Sequence, residues 1–98
     1  MTKHKEILEW ASVKGLLNPE IYAVQFMKVS EELGELANAI IKEKRNEEID
    51  AFGDVMVTLY ILAEQRGVNL SEAVEIAYEV IKGRKGKMVN GSFIKDEI

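Results

Sequence analysis

The sequence predicts an all-α protein: four helices in one domain over residues 1–98, forming a bundle that a second copy of the chain completes. Three observations carry that expectation. Proline occurs once and β-branched alternation is nearly absent. Apolar residues recur at three- and four-residue steps over most of the chain, the period of an amphipathic helix. Polar knots and glycines divide that pattern into four pieces, with no repeat, low-complexity tract or linker between them.

The first helix is expected over Lys3 to Val13, with Thr2 as N-cap, Ile7, Leu8, Trp10 and Ala11 on its apolar side and Gly15 ending it. Asn18-Pro19 is a capping residue followed by proline in the first turn, and opens a second helix reaching to about Lys44. Only Gly34 weakens it, at about 1 kcal/mol. Its core stripe reads Tyr22, Phe26, Val29, Leu33, Leu36 and Ile40. The polar run Lys42 to Asn46 marks a turn; Asn46 is taken as the cap of a third helix that runs to about Arg66 and is closed by Gly67. Asn69-Leu70-Ser71-Glu72 has the form of a capping box and starts a fourth helix through about Lys82. Residues 84–98 read as a basic C-terminal tail with an Asn90-Gly91 turn signal.

In the third helix, Met56 to Ala63 is apolar almost all the way round. Such a helix is buried on more than one side, and four helices in 98 residues supply few partners to enclose it. A homo-oligomer, dimer or tetramer, with a shared core is the economical arrangement. The competing arrangement is a monomer whose second helix and tail cover the same face.

Composition removes whole classes of function. With no Cys, disulfides, thiolate zinc sites and Cys nucleophiles are excluded. The single His, His4, is placed in a frayed terminus, which argues against Ser-His-Asp triads and His-rich metal sites. The formal net charge of −4 argues against a nucleic-acid binder working through a general positive field. No apolar run is long enough to span a bilayer and no signal-peptide core is present, so a cytoplasmic location is expected, with no membrane partner.

What remains is carboxylate chemistry. The second helix holds Glu31-Glu32-Leu33-Gly34-Glu35, which at about 100° per residue puts Lys28, Glu32 and Glu35 in one narrow stripe, with Glu31 turned away. The third holds Asp50-Ala51-Phe52-Gly53-Asp54, with Asp50 and Asp54 one turn apart. A short turn makes the two helices antiparallel, so Glu32, Glu35, Asp50 and Asp54 can converge. Like charges at this spacing oppose helix stability, and carboxylates gathered in a partly dry place call for a hard divalent cation, Mg²⁺ before Zn²⁺. The alternative is pairwise neutralisation by Lys28, Lys44 or Arg45.

The segment Gln25 to Leu36, with Glu31-Glu32-Leu33-Gly34-Glu35, followed by Gly53-Asp54-Val55-Met56, resembles the MazG-like all-α nucleotide pyrophosphohydrolases. Their signature is EExxE on one helix and ExxD on the next. The closing run Arg84 to Lys95 is similar to the tail of short, phage-type members. One departure stands out: the acid expected three residues before Asp54 is replaced by Ala51, leaving Asp50 as the nearest substitute, and Glu47 and Glu48 are read as first-turn acids favourable at a helix N-terminus.

The resemblance implies a nucleoside triphosphate cut between its α and β phosphates. Glu32, Glu35, Asp50 and Asp54 would hold Mg²⁺ (or Mn²⁺), and Glu32 or Glu35 would activate the water. Lys28, Arg84, Lys85 and Lys87 are the candidate phosphate contacts; for the base, the apolar candidates are Trp10, Tyr22, Phe26, Tyr60 and Tyr78. The rival classes are a non-enzymatic helical dimerisation or regulatory module and a small nucleic-acid binder using Arg84 to Lys87. A related enzyme resembling the phosphoribosyl-ATP pyrophosphohydrolases would share the chemistry and differ in substrate.

Overall fold

The computed structural model describes residues 3–96, so the proposed cap Thr2 lies outside the described residues. Four helices follow in order: α1 (His4–Val13), α2 (Tyr22–Ile41), α3 (Arg45–Gln65) and α4 (Leu70–Ile81). They are followed by two short strands, β1 (Gly86–Val89) and β2 (Ser92–Lys95).

Local signals set most boundaries. The Asn18 side chain accepts a hydrogen bond from the Glu20 amide at 2.9 Å, opening one 3-10 turn, Pro19–Ile21, that leads into α2. Asn69 does the same for α4, accepting from the Glu72 amide at 3.0 Å. Gly15 and Gly67 end α1 and α3 in left-handed conformations, with φ of 73° and 71°. Two boundaries differ from the sequence reading. Helix α2 stops at Ile41, because Glu43 turns left-handed at φ 55° and reverses the chain. Asn46 lies inside α3; Lys44 takes the N-cap position and makes no side-chain cap.

Helix α3 is the hub. It packs antiparallel on α2 along most of its length, and its C-terminal half also meets α1 and α4. Two buried glutamines tie the packing: Gln25 donates to the Thr58 carbonyl at 3.1 Å, and Gln65 donates to the Leu16 carbonyl at 2.8 Å. His4 is held rather than frayed. Its Nδ1 lies 3.1 Å from the Ser71 hydroxyl and its ring stacks on Tyr60 at 4.7 Å, joining α1, α3 and α4.

The inner seam is not the stripe expected of α2. Its only residues that are not exposed are Gln25, Val29, Glu32, Leu36 and Ala39, at steps of four and three. Of the expected stripe only Val29 and Leu36 turn inward; Tyr22, Phe26, Leu33 and Ile40 face outward, Phe26 at 60% exposure. On α3 the seam runs through Ala51 and Val55, while Ile49, Phe52 and Met56 are exposed. Helix α4 has no buried residue, although it is amphipathic. Within the apolar run of α3 only Met56 is exposed, Ile61 is buried and the rest are half-buried, so the single chain already covers most of it.

The C-terminal segment is a β-hairpin rather than a plain tail, which adds a two-stranded sheet to the helical fold. Asn90 and Gly91 take positive φ, 50° and 82°, the pattern of a tight two-residue hairpin turn. Met88 pairs with Phe93 and Lys87 with Ile94, and every strand residue is exposed. Among the described residues, no helix is long and apolar enough to cross a membrane.

Candidate active site

The α2–α3 pair builds an acidic cavity near its turn. A hollow of about 260 Å³ is lined by Glu35, Asn38 and Ala39 from α2 and by Glu47, Asp50, Ala51 and Asp54 from α3. Its floor is Ala39 and Ala51, both buried, so two methyl groups lie where larger side chains would fill the space. Every charged group in the lining is a carboxylate.

Glu32 sits beside this cavity at a seam position, a carboxylate where an apolar residue would ordinarily pack. Its Oε2 has no solvent exposure and no hydrogen-bond partner. Burial, then the negative charges of Glu35 and Asp54, a side-chain hydrogen bond with Glu35 and last the charge of Glu31 push its carboxyl above the usual carboxylate range. An orphaned buried oxygen costs free energy that a proton or a cation would relieve.

Of the basic groups expected to neutralise these acids, Lys28 and Arg45 are engaged outside the lining, and Lys44 pairs with Glu47 of the lining. Lys28 pairs with Glu31 at 3.5 Å, Lys44 with Glu47 at 3.6 Å and Arg45 with Glu48 at 3.2 Å, each three residues apart along its own helix and exposed except for the half-buried Glu48. Among the described residues, no ion pair involves Glu32, Glu35, Asp50 or Asp54. Thr58, one turn beyond Asp54, hydrogen-bonds the Asp54 and Val55 carbonyls at 3.0 and 2.8 Å, which fixes α3 locally behind the site.

The structure therefore brings Glu35, Asp50 and Asp54 to one cavity, with Glu32 against it. It adds two residues that the sequence reading left out. Glu47, a first-turn acid of α3 as expected, also enters the lining, and Asn38 joins from α2. The signal was available: Glu47 lies three residues before Asp50 and seven before Asp54, on the same helix face. Ala51 leaves that face open where the family pattern places an acid.

The proposed phosphate contacts do not reach this cavity in the protomer. Lys28 is held by Glu31, and Lys87 lies on β1. Arg84 and Lys85 line a separate hollow of about 470 Å³ with Val80, Gly83, Lys95 and Asp96. The aromatic candidates are scattered too. Trp10 lines an apolar groove of about 380 Å³ with Ile7 and Val57, Tyr22 carries the Arg66 guanidinium 4.3 Å above its ring, and Tyr60 holds His4. Phe26 and Tyr78 are exposed.

An oxygen-only donor set suits a hard cation such as Mg²⁺, and the orphaned Glu32 oxygen fits such a ligand. Among the described residues, no three His, Asp or Glu side chains stand close enough to hold one ion together, so binding would require side-chain rotation inward.

Comparison with known proteins gives the same direction. The profile of the phosphoribosyl-ATP pyrophosphohydrolase family matches residues 13–80, which contain the whole acidic cavity. Over 65 residues the chain is 35% identical to an uncharacterized 18.2 kDa protein in the rep-hol intergenic region of Haemophilus phage HP1 (strain HP1c1). That match covers 66% of this chain and 40% of the phage protein. No solved structure matches the chain significantly.

Proposed function

The chain belongs to the phosphoribosyl-ATP pyrophosphohydrolase family, and on that premise we propose that it is a metal-dependent nucleoside triphosphate pyrophosphohydrolase of the short MazG-like kind. The observation that carries the reading is the cavity lined by Glu35, Glu47, Asp50 and Asp54, beside the orphaned Glu32 oxygen and with no cationic side chain in its lining. Of the nearby cations, Lys28 and Arg45 pair with Glu31 and Glu48 outside the lining and Lys44 pairs with Glu47 within it, which leaves Glu35, Asp50 and Asp54 in no ion pair among the described residues and the buried Glu32 oxygen without a partner.

Glu32, Glu35, Asp50 and Asp54 are the residues that would hold Mg²⁺ (or Mn²⁺). When bound, such an ion neutralises the charge that builds on the phosphate oxygens. The chain's own part is to orient the attacking water and take its proton, a role for Glu32 or Glu35. The water oxygen forms a bond to the α-phosphorus, the bridging α–β P–O bond breaks, and pyrophosphate leaves with the monophosphate as the other product. Ala39 and Ala51 leave room for the phosphates.

A panel of ribo- and deoxyribonucleoside triphosphates with phosphoribosyl-ATP, assayed with Mg²⁺ and with EDTA, tests this. Pyrophosphate and a monophosphate should appear only with the metal. Orthophosphate as first product overturns the assigned bond, and preference for phosphoribosyl-ATP would replace the substrate class while keeping the chemistry.

A further inference from the structure

The basic C-terminal segment has no part in the acidic cavity, and it concentrates charge of the opposite sign. Residues 1–81 carry 8 basic and 15 acidic side chains, whereas residues 82–95 carry 5 basic and no acidic ones. Lys82 is paired with Glu79 at 2.7 Å. Among the described residues, Arg84, Lys85, Lys87 and Lys95 are in no ion pair. The net charge of −4 does not cancel such a patch for an incoming polyanion, because at physiological ionic strength exposed charges are screened beyond about 8 Å.

The hairpin arranges these groups in a line. Residues directly opposite each other across an antiparallel pair share a face. Met88 with Phe93 and Gly86 with Lys95 therefore lie on one side, and Lys87 with Ile94 and Val89 with Ser92 on the other. On the first side Phe93 is 49% exposed and is nonetheless seated. A Cβ at Gly86 would meet the Ile94 carbonyl oxygen and would lie 2.7 Å from the tip of the Phe93 ring, so only glycine lets the ring rest there. The Asp96 amide donates to the Lys85 carbonyl at 2.8 Å and closes the root of the hairpin. At that root Arg84, Lys85 and Lys95 line a hollow of about 470 Å³ with Val80, Gly83 and Asp96. A seated, half-exposed aromatic ring thus continues through Lys95 into a cationic hollow whose one acid is Asp96.

Single-stranded nucleic acid is held by cations that track its phosphates beside an aromatic ring on which a base can stack. We propose that the C-terminal hairpin binds single-stranded nucleic acid, with a base on Phe93 and the neighbouring backbone phosphates on Lys95, Lys85 and Arg84. A duplex keeps its bases stacked within and offers the ring no partner. A lipid surface would favour one continuous apolar side. Here the apolar residues are divided, Met88 and Phe93 on one side and Val89 and Ile94 on the other, with a lysine on each. Neither the acidic cavity nor a metal enters this assignment, so it does not rest on the hydrolase reading.

The test is fluorescence anisotropy of the full-length chain with a labelled oligothymidylate of about 12 nucleotides, titrated at several salt concentrations. Neutralising three phosphates gives log affinity a slope of about −2 against log salt. Arg84→Ala/Lys85→Ala/Lys95→Ala should flatten that slope toward zero. Phe93→Leu should weaken binding by about 5- to 100-fold with the slope unchanged. Phe93→Tyr keeps a ring at the same place and should bind as wild type does, which separates loss of the ring from loss of the hairpin. No binding, a slope that the triple substitution leaves unchanged, or equal affinity for Phe93→Leu and wild type overturns the proposal. So does equal affinity for the same oligomer annealed to its complement, tighter binding to phosphatidylserine vesicles, or displacement of the oligomer by an equal concentration of a free nucleoside triphosphate. Turnover is read in none of these measurements. A chain that cleaves no nucleotide but binds the oligomer in this way refutes the hydrolase reading and upholds this one.

Discussion

Replacing Asp54 by Asn removes one charge from the acidic cavity at nearly constant shape, and it separates a metal-binding set from a structural one. Asp54 is exposed, and its charge is among those that push the Glu32 carboxyl upward. Losing an exposed, unpaired charge changes stability by no more than about 0.5 kcal/mol. For a chain of this length that is a shift in Tm of less than about 4 °C, with the direction upward because repulsion is relieved. Turnover should nevertheless fall by about 100- to 1,000-fold, the usual cost of losing one preorganised electrostatic group. The assay is thermal melting of wild type and variant in EDTA and in Mg²⁺, alongside pyrophosphate release. At a Mg²⁺ concentration about 100 times its Kd, the folded wild type should gain about 2.7 kcal/mol, or about 10 °C or more. The variant should lose most of that gain. If Asp54 were instead half of a buried pair, its loss would cost about 3–5 kcal/mol. A variant that collapses in EDTA, beside a wild type indifferent to Mg²⁺, refutes the site.

Two further outcomes follow from the same geometry. The Glu32 carboxyl is raised above 4.5 in the fold, so its contribution to stability is fully present below about pH 4.5 and is lost as pH rises through the folded value. In EDTA, Glu32→Gln should therefore match wild type near pH 4 and be more stable at pH 7, read from urea unfolding at the two pH values; a variant less stable at pH 7 contradicts the repulsion. Asn69→Ala removes the acceptor for the Glu72 amide and should cost about 1 kcal/mol, seen as a fall in Tm of about 4–8 °C by circular dichroism; an unchanged Tm would mean that α4 needs no cap.

The acidic cavity joins a family resemblance to a physical need. Ala51 removes the acid that the family pattern places three residues before Asp54, and the structure puts Glu47 and Asp50 around the gap. Small residues at Ala39 and Ala51 let the helices approach and leave the hollow that carboxylates line from both sides. The cations Arg84, Lys85 and Lys95 line a separate hollow of the chain.

The sequence by itself determined the local events. Asn18 and Asn69 cap because a short polar side chain can reach the free amides of the next turn. Gly15 and Gly67 stop helices because a left-handed residue costs glycine little. The helical period likewise put Glu32 and Glu35 on one side of α2, and Asp50 and Asp54 on one side of α3. Tertiary packing decided what those sides face. Period sets the angle between residues, not which stripe meets a neighbour, so Phe26 and Leu33 passed for core while Gln25, Glu32 and Ala39 took the seam. Glu47 is a first-turn acid of α3 as its position predicts, and only the approach of α2 makes it a cavity wall as well. His4 was assigned to a frayed end because its partners, Ser71 and Tyr60, lie 67 and 56 positions away along the chain. The hairpin was half legible, since Asn90-Gly91 announced the turn; strands of four residues carry too little alternation to announce themselves.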